Sequence, residues 1–169
     1  YKNIYKFRKK VKKGFIRVDA DEVHYPLHII HRFNIEHKII EENFNVEDLP
    51  DLWNDEFFRL FEINVDTDTN GCLQDIHWYG GDFGYFPTYS LGAIIAAQLM
   101  NKIKKKIPKF SFHLEKGNFK HMIRWLKENV HEKGNFYKIN EILEKITGEK
   151  LNLNHYENHI SDRYIKEIY

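Results

Sequence analysis

The 169-residue chain has one cysteine, Cys72, and four prolines. A single cysteine excludes a disulfide framework and a thiolate zinc cluster, and it suits a reducing, cytoplasmic compartment. With so few prolines and nine glycines there is no composition for a long flexible linker. Nor is there a run of 18 apolar residues, or a basic stub followed by an apolar segment, so no membrane span or signal peptide is expected. The chain opens on Tyr1 rather than Met, which suggests that it begins partway into a longer product. Aromatic residues, at 15%, are abundant, and the length is enough for one domain with a real core.

Net charge is +1, unevenly spread: residues 1–18 hold eight of the 26 Lys and Arg and no acid, leaving 18 against all 25 acids. Such asymmetry can mark a nucleic-acid or acidic-lipid surface. No recognisable binding module accompanies it, so a solvated basic face is the simpler reading.

Helical periodicity dominates. Over residues 22–41, Val23, Leu27, Ile30, Phe33 and Ile40 form one stripe of a helix that begins after Asp19 or Asp21 as a cap, with Pro26 in its early turns. Further helices are expected over residues 46–61, from Pro87 to before Pro108, over 118–132, over 138–147 ending at Gly148, and over 152–168. Residues 64–71, NVDTDTNG, read as a loop. Strand-type alternation is weak and there is no internal repeat, so the fold class is all-α, a single helical region over residues 1–169.

Several chemical motifs are weak or absent. His24, His28 and His31 share a narrow sector of the first helix, a possible metal face. Structural zinc usually needs four ligands and none completes this set locally, so ordinary bonded histidines are the simpler expectation. HYENH at 155–159 places Glu157 one residue away from where a zincin glutamate stands, roughly 100° around a helix. The glycines of YGGDFG match no phosphate-loop spacing, and Cys72 reads as a small buried side chain.

Two segments hold more. In FIRVDADEVHYPLHI, Arg17 offers a planar fork suited to a carboxylate, and Asp19 and Asp21 can cap the next helix or hold that fork. In NGCLQDIHWYGGDFGYFPTYSLG, residues 70–92, Asp75 and His77 lie two apart, Trp78 can exclude water, and Tyr85 and Tyr89 can aim two hydroxyls the same way. The residues alone leave both a binding site and an aromatic core open.

These same segments resemble the Taq-type metallocarboxypeptidases. IRVDAD at 16–21 is similar to that family's I/V-R-x-x-A-D motif, and GCLQDIHW at 71–78 matches G-x-x-Q-D-x-H-W at every fixed position. DEVHYPLHI, GDFGYFPTYSLG, WLKENVHEKG, TGEKLN and RYIKEIY extend the resemblance over essentially the whole chain, as the family's C-terminal portion. It implies a helical, cytosolic homodimer that releases C-terminal residues from peptides with a zinc- or cobalt-activated water and a Glu base. It further implies that Arg17 grips the substrate carboxylate and that Gln74 to Tyr89 line the groove, with Asp21, Gln74 and Asp75 on the substrate side and His77 and one of Tyr85 or Tyr89 as the contacts.

The sequence departs from the family in containing no H-E-x-x-H. This chain therefore has no metal or catalytic residues of its own to assign. Tyr79 and Asp82 stand where small residues are expected. Three readings follow, in order: a C-terminal piece that needs an N-terminal half for hydrolysis; a free-standing module that binds peptide C-termini; and a nucleic-acid binder with a basic arm. A piece of this kind would leave apolar stripes exposed and would tend to associate.

Overall fold

The computed structural model describes residues 9–42 and 44–166. Most of the basic arm (residues 1–8) and the end of RYIKEIY (residues 167–169) lie outside them. Among the described residues the regular structure is entirely helical, as periodicity indicated. The chain forms two compact units, Tyr1–Leu91 and Gly92–Tyr169.

In the first unit a 3-10 turn at Arg17–Asp19 leads to helix α1, Tyr25–Glu41. Asp21 governs its entry: Oδ1 accepts from the amides of Val23 and His24, and Oδ2 accepts from Lys12 N and His24 Nδ1. These bonds satisfy amides that precede the helical ladder, while Pro26 sits where no intrahelical donor is required. Helix α2, Leu49–Phe61, follows a 3-10 turn at Val46–Asp48.

The core of this unit forms between α1 and α2 from Ile35, Trp53, Phe57, Phe61 and Cys72, with Phe15, Leu27 and Trp78 packed around it. Phe57 and Phe61 stack with ring centroids 4.4 Å apart. Burial raises the Cys72 thiol above its ordinary range, as suits a small core side chain.

The orientation of α1 corrects the apolar-stripe expectation. Ile30, Phe33 and Ile40 are exposed, whereas the buried face carries His28, Ile29, His31, Arg32, Ile35 and Glu36. This unit thus buries the polar side of its longest helix and leaves part of the apolar side open. Such burial is tolerable only where each polar group has a partner.

Helix α3, Pro87–Lys106, spans the division between the units. The second unit continues with the short α4, Phe110–Glu115, then α5, Lys120–Asn129, α6, Ile139–Thr147, and α7, Asn154–Tyr164. Sequence patterning missed α4, which is too short to show a period. Ile103, Phe110, Ile142 and Leu143 form its buried apolar set. Gly148 ends α6 at φ 93°, a left-handed conformation that disfavours a side chain.

Candidate functional site

The site lies within the first unit and is built from the Arg17 turn, α1 and the segment 74–89. Arg17 is 7% exposed. Its Nε and Nη2 both donate to Asp75 Oδ1, at 3.1 and 2.8 Å, and Nη1 donates to Tyr25 Oη at 3.1 Å. Its guanidinium also lies 5.1 Å from the Tyr89 ring centroid. The carboxylate that holds the fork is therefore Asp75, not Asp19 or Asp21. Asp21 stays at the entry to α1, where its bonds are local.

Asp75 is shared. Its second oxygen, Oδ2, accepts a very short hydrogen bond from Arg32 Nε, and Arg32 is fully buried. Gln74 joins the same pair, its Oε1 accepting from Arg32 Nη2 at 2.8 Å and from the Arg17 backbone amide at 3.3 Å. Burial opposes the charge on Asp75, but Arg32 and Arg17 hold its carboxyl below the usual range. Burial brings Arg32 down to about 10 against the pull of Asp75, so it remains cationic at neutral pH. Burial also acts on Arg17, where Asp75 and Tyr25 more than offset it and raise its value. The two arginines shift oppositely because Arg32 is the more deeply enclosed.

His77 lies between this cluster and the aromatic groups. Its Nε2 is 3.1 Å from Tyr89 Oη, while its Nδ1 is 3.6 Å from Asp75 Oδ1, beyond hydrogen-bond reach. That Nδ1 is buried without a hydrogen-bond partner. Tyr85 instead packs its ring 5.9 Å from His77 and 5.3 Å, edge-on, from Tyr89. Of the two tyrosines, Tyr89 brings its hydroxyl to the imidazole and Tyr85 brings a half-exposed ring.

The glycine-rich loop is pinned by Glu36. Its Oε2 accepts from Trp78 Nε1 at 2.9 Å and its Oε1 accepts a very short bond from the Gly84 amide. Gly84 has φ 79°, a backbone state that glycine adopts readily. Arg32 and Glu36 are the site residues that sequence reasoning misses. A signal for them exists: His24 at the N-cap and His28, Arg32 and Glu36 along α1 recur every four residues as a polar column.

His24, His28 and His31 do not form a metal face. His24 pairs with Asp21, His28 packs its ring 4.5 Å from Phe61, and His31 Nε2 donates to Trp53 O at 3.1 Å. Burial drives His28 down to about 3 and His31 to about 4, so both are neutral, aromatic parts of the core. His155 of HYENH is likewise engaged, by Glu149 Oε1 at 2.6 Å and Asn101 Nδ2 at 2.8 Å. Among the described residues no group of three or more His, Cys, Asp or Glu is arranged to hold a metal ion. The donors present among the described residues do not fit a catalytic metal. The cations near the chain start are partly committed as well, Lys13 to Glu62 and Arg17 to Asp75. Among the described residues no helix is long and apolar enough to cross a membrane.

What the geometry offers is a buried, preorganised guanidinium flanked by aromatic rings and an imidazole, suited to recognising an anionic group. Comparison with known proteins identifies the family. Carboxypeptidase 1 of Bacillus subtilis is 47% identical over 153 residues, 90% of this chain and 30% of that protein. Thermostable carboxypeptidase 1 of Pyrococcus furiosus is 39% identical over 163 residues, 96% of this chain and 33% of that protein. The chain spans about a third of the length of the curated relatives it matches. Among solved structures, a Pyrococcus furiosus carboxypeptidase superposes with a TM-score of 0.93 at 38% identity, covering 97% of this chain and 33% of that one. Trypanosoma cruzi metallocarboxypeptidase 1 gives 0.90 at 38% identity, covering 96% and 34%. The sequence profile of the carboxypeptidase Taq (M32) metallopeptidases matches residues 1–164, and the chain belongs to that family.

Proposed function

We propose that this chain is the substrate-binding, C-terminal part of a metal-dependent carboxypeptidase, with Arg17 receiving the terminal carboxylate of a peptide. The observation that carries this reading is the state of the Arg17 fork. Three of its five N–H donors are engaged by Asp75 and Tyr25, leaving two for a ligand. Asp75 fixes the fork and Gln74 the Arg17 backbone, His77 and Tyr89 stand beside it, and Tyr85 offers a ring to an apolar side chain. Asp21 contributes by setting the entry to α1, and hence the place of Tyr25.

The ligands for zinc or cobalt and the general base would come from an H-E-x-x-H segment and a downstream Glu that these residues do not include. The exposed Ile30, Phe33 and Ile40 of α1 give such a segment an apolar face to cover. The assembled enzyme would act in the cytoplasm, as a homodimer, on peptide C-termini.

The proposal is tested by metal-dependent release of a C-terminal amino acid from a blocked dipeptide, with and without a co-expressed segment bearing H-E-x-x-H. Activity that needs this segment and is lost in Arg17→Ala supports the proposal. Selective binding of peptide C-termini without hydrolysis in either case would instead favour a binding module. Absence of both hydrolysis and carboxylate-selective binding would overturn the assignment of Arg17.

A further inference from the structure

The QD pair of the second motif is bonded to two arginines from different parts of the chain. Gln74 Oε1 accepts from the Arg17 backbone and from the Arg32 side chain, and Asp75 gives Oδ1 to Arg17 and Oδ2 to Arg32. Arg17 is thus held at its backbone by one residue and at its guanidinium by the next, and Arg32 binds both holders. Arg32 has no solvent exposure. Its Nη1 donates back to His28 O at 3.0 Å, and its guanidinium lies 4.8 Å from the Trp53 ring centroid. Those contacts anchor it to α1 and the core, and they keep it from reaching a ligand itself.

We propose that Arg32 is the positioning residue for Arg17, acting through Gln74 and Asp75. Two consequences follow from its charge and shape. A planar fork can address Asp75 and Gln74 together, which a lysine ammonium does with far less directional control. Two guanidinium groups around one carboxylate also leave this paired cluster one positive charge in surplus, so Asp75 does not cancel the attraction of Arg17 for an incoming anion. Without Arg32, Asp75 would become the private counter-ion of Arg17, free to rotate with it. The bearing on peptide binding rests on the proposed function above; the relay itself does not.

The experiment uses the 169-residue chain and its Arg32→Gln, Arg32→Lys, Asp75→Asn and Arg32→Gln/Asp75→Asn variants. Hydrogen exchange at Arg17 Nε is followed by NMR beside the backbone amides of α1, and affinity is measured for N-acetyl-L-phenylalanine and its carboxamide. In Arg32→Gln, Arg17 Nε–H should exchange roughly tenfold or more faster while the α1 amides stay protected, and preference for the carboxylate should fall by about the same factor. Adding Arg32→Gln to Asp75→Asn should change Nε–H exchange little further, because the two residues act in series. Arg32→Lys should be intermediate, and it carries the test should Arg32→Gln not fold. Unchanged Nε–H exchange in a folded Arg32 variant, or fully additive effects of the two substitutions, would overturn the relay. Failure of the unsubstituted chain to prefer carboxylate over carboxamide would count against the binding role of Arg17, while the exchange measurement still decides the relay.

Discussion

The two units bury different kinds of group. The first, Tyr1–Leu91, encloses Arg17, His28, His31, Arg32 and Glu36 beside an aromatic core. Among the described residues of the second, Gly92–Tyr169, Gln98 is the polar residue that is buried, with Ile103, Phe110, Ile142 and Leu143 making the core. Gln98 serves a local purpose. Its Nε2 donates to Thr147 Oγ1 and the carbonyls of Glu149 and Lys150, and its Oε1 accepts from Asn152 N, so that it closes the turn after α6. The first unit instead holds charge away from water, which costs stability unless every charge is paired. A fold carries that cost for precise placement of side chains, so the unit rich in buried charge is where a binding site is sought.

The most severe challenge to this contrast is Asp75→Ala, which leaves Arg17 and Arg32 enclosed without a counter-ion. A loss of about 3–5 kcal/mol is expected in chemical denaturation, appearing in the hydrogen exchange of the first unit. Acidification tests the same unit. His28 and His31 titrate at about 3 and about 4 when folded, well below the unfolded value of 6.5, so the unfolded chain binds more protons between these limits. Stability should therefore fall as pH drops from about 6.5 toward 3, with loss of the Asp75 pairs adding to it below the ordinary carboxylate range. Melting temperatures read across that range would show a flat profile if the two histidines were not neutral in the core.

In the second unit, Leu143→Ala should cost about 2–4 kcal/mol through lost packing, with no change in the pH profile. Gln98→Ala should cost about 1–3 kcal/mol and speed amide exchange around Asn152 rather than in the first unit. At the small end, Lys166→Ala removes an exposed i,i+4 pair with Asp162 and should leave the melting temperature unchanged within error.

Much of this is legible in the residues. The caps, prolines and apolar spacing locate the helices, with α1 starting at Tyr25 rather than at Glu22 and α7 at Asn154 rather than at Asn152. The two motifs mark Arg17, Gln74, Asp75 and His77, and the aromatic stretch after them offers Tyr85 or Tyr89; the structure gathers the four and Tyr89 into one cluster. Asp21 sets the turn that enters α1, near to one of the two roles its position allows; it does not hold the Arg17 fork, because Asp75 occupies that edge of the guanidinium. Nothing local could reveal a partner 58 residues away.

The helical class of the described residues, the family and the residue types of the Arg17 cluster follow from the order of amino acids alone. Which face of α1 turns inward does not, and it was settled by long-range packing. Periodicity marks where apolar side chains align, and it favours burying Ile30, Phe33 and Ile40. The packed molecule buries Arg32 and Glu36 instead, because Asp75, Gln74, Trp78 and Gly84 arrive from a distant loop to satisfy them. A buried charge is tolerated according to the partners that surround it, and those partners exist only once the chain has folded.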